Sequence, residues 1–298
     1  MGSQRLYLKR VLWMFLAAAI LPAHAYAKSD LTTDYARPAS VDDMWTMLVA
    51  ACVVVMQTGL LFLTAGSGLS GKSIVIARKN LLGFVLAIIV FALIGFPLAF
   101  GEASSLPFAT GSGLSLIADV APQSSAAVLF QLMLCGIVVT IFSGSVAGRM
   151  SPKAFVLACI VIAGLVYPVF LHWVRGDLLF SNLTAFLSNL DFADLAGGVS
   201  IHATAGWIVL AACMVLGPQS GGMMPAGFRG QVPGRNVLFS VAGGLALFAG
   251  WAFLNGGFAM ADGKSLPAVL VNSLLVGNHC SECVYPLKRY DLIINSPL

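Results

Sequence analysis

Six apolar runs, at about residues 44–66, 80–100, 125–147, 154–174, 195–217 and 238–260, each come near the ~20 residues that a helix needs to cross a bilayer. Such runs leave a chain few options. Inside hydrocarbon every backbone N–H and C=O must be satisfied within the protein, and a helix does this segment by segment. The expectation is an all-α, polytopic transmembrane helical bundle. The chain is 59% hydrophobic and 9% charged, with a mean hydropathy of +0.92, against the ~25% charged residues of soluble domains. The net charge of +4 is therefore no argument for a nucleic-acid partner; the partner these runs imply is the lipid bilayer.

The charges also orient the chain. Residues 1–27 read as a signal peptide: Arg5, Lys9 and Arg10, an apolar stretch from Val11 to Pro22, then Ala23-His24-Ala25 or Ala25-Tyr26-Ala27 for cleavage. An uncleaved first helix is the competing reading, but its apolar core is short for a span. With the mature N-terminus outside, the inward loops hold Lys72, Arg78, Lys79, Arg149, Lys153, Arg229 and Arg235 and no acid. The outward loops hold Asp30, Asp34, Asp42, Asp43, Glu102, Asp119, Asp177, Asp191, Asp194 and Asp262 against four basic residues. Basic residues stay cytoplasmic, so span list and orientation support each other, and the expected location is the cell (inner) membrane.

One apolar run carries chemistry. In Leu190 to Trp207 an acid, Asp194, precedes an imidazole, His202, that would lie at hydrocarbon depth. Eight residues are a little over two helical turns, so both would project from nearly one face, with Asp194 capping the helix entrance. An intramembrane histidine has to face protein or a pathway. The plainer alternative is a capping aspartate and a histidine bonded to a neighbouring helix.

Glycines at Gly197-Gly198, Gly206, Gly243-Gly244 and Gly256-Gly257 read as packing positions. Cys52, Cys135, Cys159 and Cys213 sit in spans too apolar for metal or redox work. Gln57, Gln131, Thr140, Ser143 and Asn255 read as hydrogen-bond formers between helices. Neither a nucleophile–base pair nor a phosphate-binding glycine loop is legible, so the expectation is not an enzyme and no cofactor or metal is assigned.

From about Asp43 to about Gly277 the chain resembles the ammonium transporter (Amt/Mep/Rh) family. The resemblance rests on Met56-Gln-Thr-Gly59 with Ala65-Gly66, Lys79-Asn80-Leu81, Gly95-Phe-Pro-Leu-Ala-Phe-Gly101 and Ile141-Phe-Ser-Gly-Ser-Val-Ala-Gly-Arg149. Downstream follow Tyr167-Pro168, His172-Trp173, Asp194 through His202, Leu216-Gly-Pro218 and Gly250-Trp-Ala-Phe-Leu-Asn-Gly-Gly257. It implies a helical pore protein, usually a homotrimer, whose subunits each carry a narrow apolar pore for ammonium or ammonia, with a cytoplasmic regulatory protein as a further partner. Asp194 would match the aspartate that supports an outer cation site. His202 would match the first of two pore histidines, thought to relay the proton apart from neutral ammonia. Trp251 and Asn255 would match family positions of the sixth span.

The chain also departs from that pattern. Counted without gaps, the outer aromatic gate is Leu134, the recruitment-site tryptophan is Arg175, the inner gate phenylalanine is Leu254 and a cation-holding serine is Phe258. An aromatic face attracts a cation by ~0.5–2 kcal/mol, which leucine does not. An arginine 4 Å away would repel ammonium by ~4 kcal/mol at an effective dielectric of 20, unless it snorkels outward or pairs with Asp177. Thr64 and Gly148 stand where the family has acids, so structural ion pairs are expected to be missing.

The resemblance implies eleven spans, of which six to seven are legible. The apolar stretch from Leu266 to Gly277 reads as the start of a seventh, closing a membrane domain over 28–277. Residues 278–298 then turn polar, as a truncation or frame change would make them, and His279-Cys280 with Cys283 has no second ligand pair. Three readings follow: an ammonium channel or transporter carrying part of its pore, a non-conducting sensor or regulatory member, or a nonfunctional fragment.

Overall fold

The structure, a computed structural model, describes residues 41–67, 73–101, 113–146, 148–176, 187, 190, 192, 194–217, 236–261 and 263–276. The signal peptide expected over 1–27, the tail over 278–298 and Asp177 lie outside them. Among the described residues there is no strand, and six helices are long and apolar enough to cross a membrane.

These are α1 (Val41–Ser67), α2 (Ser73–Phe100), α3 (Gly113–Val146, apolar from Ser125), α4 (Pro152–Arg175), α5 (Leu195–Leu216) and α6 (Val237–Ala261), followed by the short apolar α7 (Leu266–Val276). The expected spans therefore recur with one notable shift. α2 begins at Ser73 rather than near residue 80, because Arg78 and Lys79 do not end it: the Lys79 ammonium reaches the Met150 carbonyl and lies 5.8 Å from the Phe155 ring centroid. Long basic side chains extend past apolar surface to a polar partner, so a hydropathy boundary falls short of the helix end.

α3 is the most buried of the six and α5 and α6 the least. The core lies where α2, α3 and α4 meet, around Phe91, Phe96, Phe142, Phe155 and Tyr167. Phe91 and Tyr167 have ring centroids 5.7 Å apart, and Phe142 stacks on Phe155 at 6.1 Å. Away from the core, Trp207, Met214, Val215 and Leu238 are exposed, as side chains directed at lipid would be.

α1 and α6 run antiparallel, with Gly66 beside Ser240 at one end and Gly257 beside Val49 at the other. Their glycines let backbone touch backbone: a Cβ added to Gly59 would stand 2.4 Å from the Leu247 nitrogen, and one added to Gly243 2.4 Å from the Leu63 nitrogen. Where lipid is as apolar as protein, such close van der Waals contact is what holds helices together.

α2 and α4 share a second device. Each contains one π-helical turn, Phe91–Gly95 and Ile162–Val166, followed at once by an aromatic residue and a proline, Phe96-Pro97 and Tyr167-Pro168. Proline lacks an N–H, and its ring collides with the carbonyl four residues earlier. Widening the preceding turn, so that Phe96 N–H donates to Phe91 O and Tyr167 N–H to Ile162 O, accommodates the ring without ending the helix. The two turns meet: a Cβ on Gly95 would lie 2.5 Å from the Ala163 oxygen. His172 Nδ1 then donates to the Ala99 carbonyl at 2.8 Å, tying the ends of α4 and α2.

Arg149 finds partners despite Gly148. It donates to the Gly217 carbonyl at 2.6 Å, the Ser145 carbonyl at 2.8 Å and Cys213 Sγ at 3.1 Å, joining the C-terminal ends of α3 and α5. Helix C-termini carry free carbonyls and partial negative charge, so they replace a carboxylate as its counterpart. Thr64 Oγ1 donates to the Leu60 carbonyl of its own helix at 2.7 Å. Of the polar residues expected between helices, Asn255 behaves so, its Nδ2 donating to Ser273 Oγ at 2.9 Å. Gln57, Gln131, Thr140 and Ser143 instead bury side-chain polar atoms that have no hydrogen-bond partner among the described residues, and nothing in the fold accounts for them.

Candidate functional site

The entrance to α5 is irregular. Asp194 is extended (φ −104°, ψ 92°), Leu195–Gly197 form a 3-10 turn, Gly198–Ala203 a π turn, and only Thr204–Leu216 are α-helical. Gly197 is left-handed at φ 68°, and a side chain there would meet Ile201 Cδ1 at 2.4 Å, so glycine is required on both counts. Ala196 also has a positive φ of 57°, uncommon for a residue with a Cβ.

Asp194 organises this entrance. Its carboxylate accepts from Val199 N–H at 2.8 Å, from Ser200 N–H at 3.1 Å and from the Ser200 hydroxyl, and the residue is buried. The expected cap is thus present, one turn further into the helix than an α-helical start would put it. The eight-residue spacing does not act through α-helical periodicity, since 3-10 and π turns occupy the interval. What links the two residues is the π turn itself, held by Asp194 at its start and carrying His202 near its end.

His202 is half-buried, and its Nε2 is buried without a hydrogen-bond partner among the described residues. It lines a cavity of about 420 Å³ together with Trp251, Asn255 and Phe258. Those three lie at i, i+4 and i+7 on α6, so one helix face presents them together. The cavity closes on α7 through Asn272, Ser273 and Val276. These α7 residues were not singled out from the sequence; the available signal was Asn272-Ser273 interrupting an apolar run.

Arg175 ends α4 beside this site. Its guanidinium carbon lies 4.7 Å from the centroid of the Phe258 ring, and Nη2 donates to the Asp194 main-chain carbonyl at 2.7 Å. Phe258 also packs against Phe130, centroids 5.6 Å apart at 62°. Leu134 and Leu254 are fully buried in the core and are not among the cavity-lining residues.

The Ammonium Transporter Family model matches residues 44–279. The chain belongs to the ammonium transporter family. A relative from Synechocystis sp. is 35% identical over 244 residues, covering 80% of this chain and 44% of the relative. An ammonium transporter of Archaeoglobus fulgidus is 30% identical over 226 residues, covering 74% of this chain and 48% of that protein. Among solved structures, a protein titled Sensor Amt Protein superposes with a TM-score of 0.67 at 28% identity, over 73% of this chain and 54% of that one. The chain spans about half the length of the curated relatives it matches.

Membership of the ammonium transporter family agrees with the all-helical membrane fold. Of the four positions where the sequence predicts that a gate or vestibule residue is replaced, Arg175 and Phe258 are in contact with each other, whereas Leu134 and Leu254 lie in the core.

Proposed function

We propose that this protein handles ammonium at the mouth and wall of an apolar passage, in which neutral ammonia moves while His202 carries the proton. The observation that carries the reading is the His202 Nε2, buried, unpartnered among the described residues and lining a cavity walled by Trp251 and Phe258. A small cation sheds its water at high cost in such surroundings, whereas ammonia enters cheaply once deprotonated. Asp194 sets the position of the turn that bears the histidine, and Asn255 with Ser273 supplies polar contact beside it. In this reading residues 28–277 contribute a membrane domain with its N-terminus outside, in an inner membrane, within a homotrimer that answers to a cytoplasmic regulatory protein.

The test is uptake of a methylated ammonium analogue by the complete gene product in a transport-deficient host. His202→Ala is expected to lower uptake by about 100-fold or more, the usual size of losing positioned proton transfer, at unchanged membrane abundance. Uptake that survives His202→Ala refutes the role.

A non-conducting sensor is the second reading, favoured by the arginine lodged on Phe258, a cavity-lining ring. It is supported by the likeness to a structure titled as a sensor. Arg175→Trp with Leu134→Phe separates the two: a rise in binding without flux favours the sensor, and a rise in both favours the transporter.

A further inference from the structure

Arg175 and Phe258 each look like the loss of a cation-binding position when taken singly along the chain. In the fold they meet. The guanidinium stands 4.7 Å from the Phe258 ring centroid, while the same group is tethered to the Asp194 carbonyl at 2.7 Å. Phe258 lines the His202 cavity, and Phe130 packs edge-on against its ring. An aromatic face with a positive group over it, next to a backbone carbonyl acceptor, has the chemistry of a monovalent-cation site. Here the chain supplies the cation itself. Guanidinium is permanently charged, donates in plane and accepts nothing, so it satisfies both the ring and the carbonyl at once.

We infer that Arg175 is a resident cation occupying a cation site on the ring of Phe258, a residue that lines the His202 cavity, and that it keeps free monovalent cations out of that site while leaving neutral solutes unopposed. Arg175 is then a specificity-determining residue. The inference deepens the ammonium reading and rests on it for the identity of the excluded ion.

Vacating the site provides the test. The complete gene product in detergent is titrated calorimetrically with millimolar guanidinium chloride, with urea as the neutral control, and separately with ammonium chloride. Wild type is expected to show no saturable guanidinium binding. Arg175→Ala and, should that variant fold poorly, Arg175→Gln are expected to bind guanidinium but not urea, and to lose that binding by about 10-fold or more when Phe258→Ala is added. Arg175→Lys, which keeps a tethered charge, is expected to bind as little as wild type. Guanidinium binding that is absent from both vacated variants, or indifferent to Phe258, overturns the inference. The ammonium arm reports on the reading beneath it: ammonium binding gained together with guanidinium supports both. Guanidinium occupancy without any gain for ammonium supports the resident cation and overturns ammonium as its competitor.

Discussion

Replacing Asp194 with alanine removes the acceptor for three donors at once: Val199 N–H at 2.8 Å, Ser200 N–H at 3.1 Å and the Ser200 hydroxyl. A hydrogen bond to a charged group contributes about 1.5–3 kcal/mol, and each buried donor left unmatched costs about 1–3 kcal/mol. Three donors sharing one carboxylate are not additive, and the hydroxyl can turn to another acceptor, so the loss is put at about 3–5 kcal/mol. Asparagine keeps one carbonyl oxygen and is expected to lose about 1–2 kcal/mol, and Ser200→Ala about 1 kcal/mol. At roughly 2–4 °C per kcal/mol for a chain of this size, Asp194→Ala lowers Tm by about 10 °C and Asp194→Asn by about 4 °C. Heating in detergent followed by size-exclusion recovery of the folded peak measures this order. If Asp194→Ala melts with wild type, or below asparagine by less than the error of the assay, the carboxylate does not hold the α5 entrance and the reasoning fails.

Other substitutions test the packing. Gly59→Val drives a side chain into the Leu247 backbone and is expected to cost about 3 kcal/mol or more, whereas Gly244→Ala, with nothing within 4 Å, stays within about 0.5 kcal/mol; folded yield distinguishes them. Arg149→Ala frees carbonyls at the ends of α3 and α5 and is expected to lower stability by about 2–3 kcal/mol in the same melting assay. Arg149→Lys recovers less than half of that, since one ammonium cannot span both helix ends.

Much of the bundle was legible because apolar length is a one-dimensional property: α1, α3, α5 and α6 each show an uninterrupted run of sufficient length. The start of α2 was not, since Arg78 and Lys79 depress hydropathy while their stems remain helical. At the candidate site, the Asp194 cap could be anticipated from residue type and position, and the histidine from its depth. The π turn between them could not be, because spacing arguments assume 3.6 residues per turn. Leu134 and Leu254 show the limit of counting along a resemblance, which supplies an address without saying which way the side chain points. The meeting of Arg175 with Phe258, and of Asn255 with Ser273, depends on how separate helices pack, and no local pattern encodes it.

The π turn of α4 gives this chain a single residue of slack in front of Pro168. An extra residue inserted into a regular α-helix would turn everything beyond it by about 100°, whereas one carried as a bulge leaves the helix beyond in register. A relative lacking one residue within Ile162–Val166 would close an ordinary α turn there and would still present the same face from Tyr167 onward. His172 would keep the Ala99 carbonyl, and Arg175 would keep Phe258. The charge over Phe258 is thus set by the residue at position 175, and a difference of one codon ahead of Pro168 is absorbed by the turn without moving it.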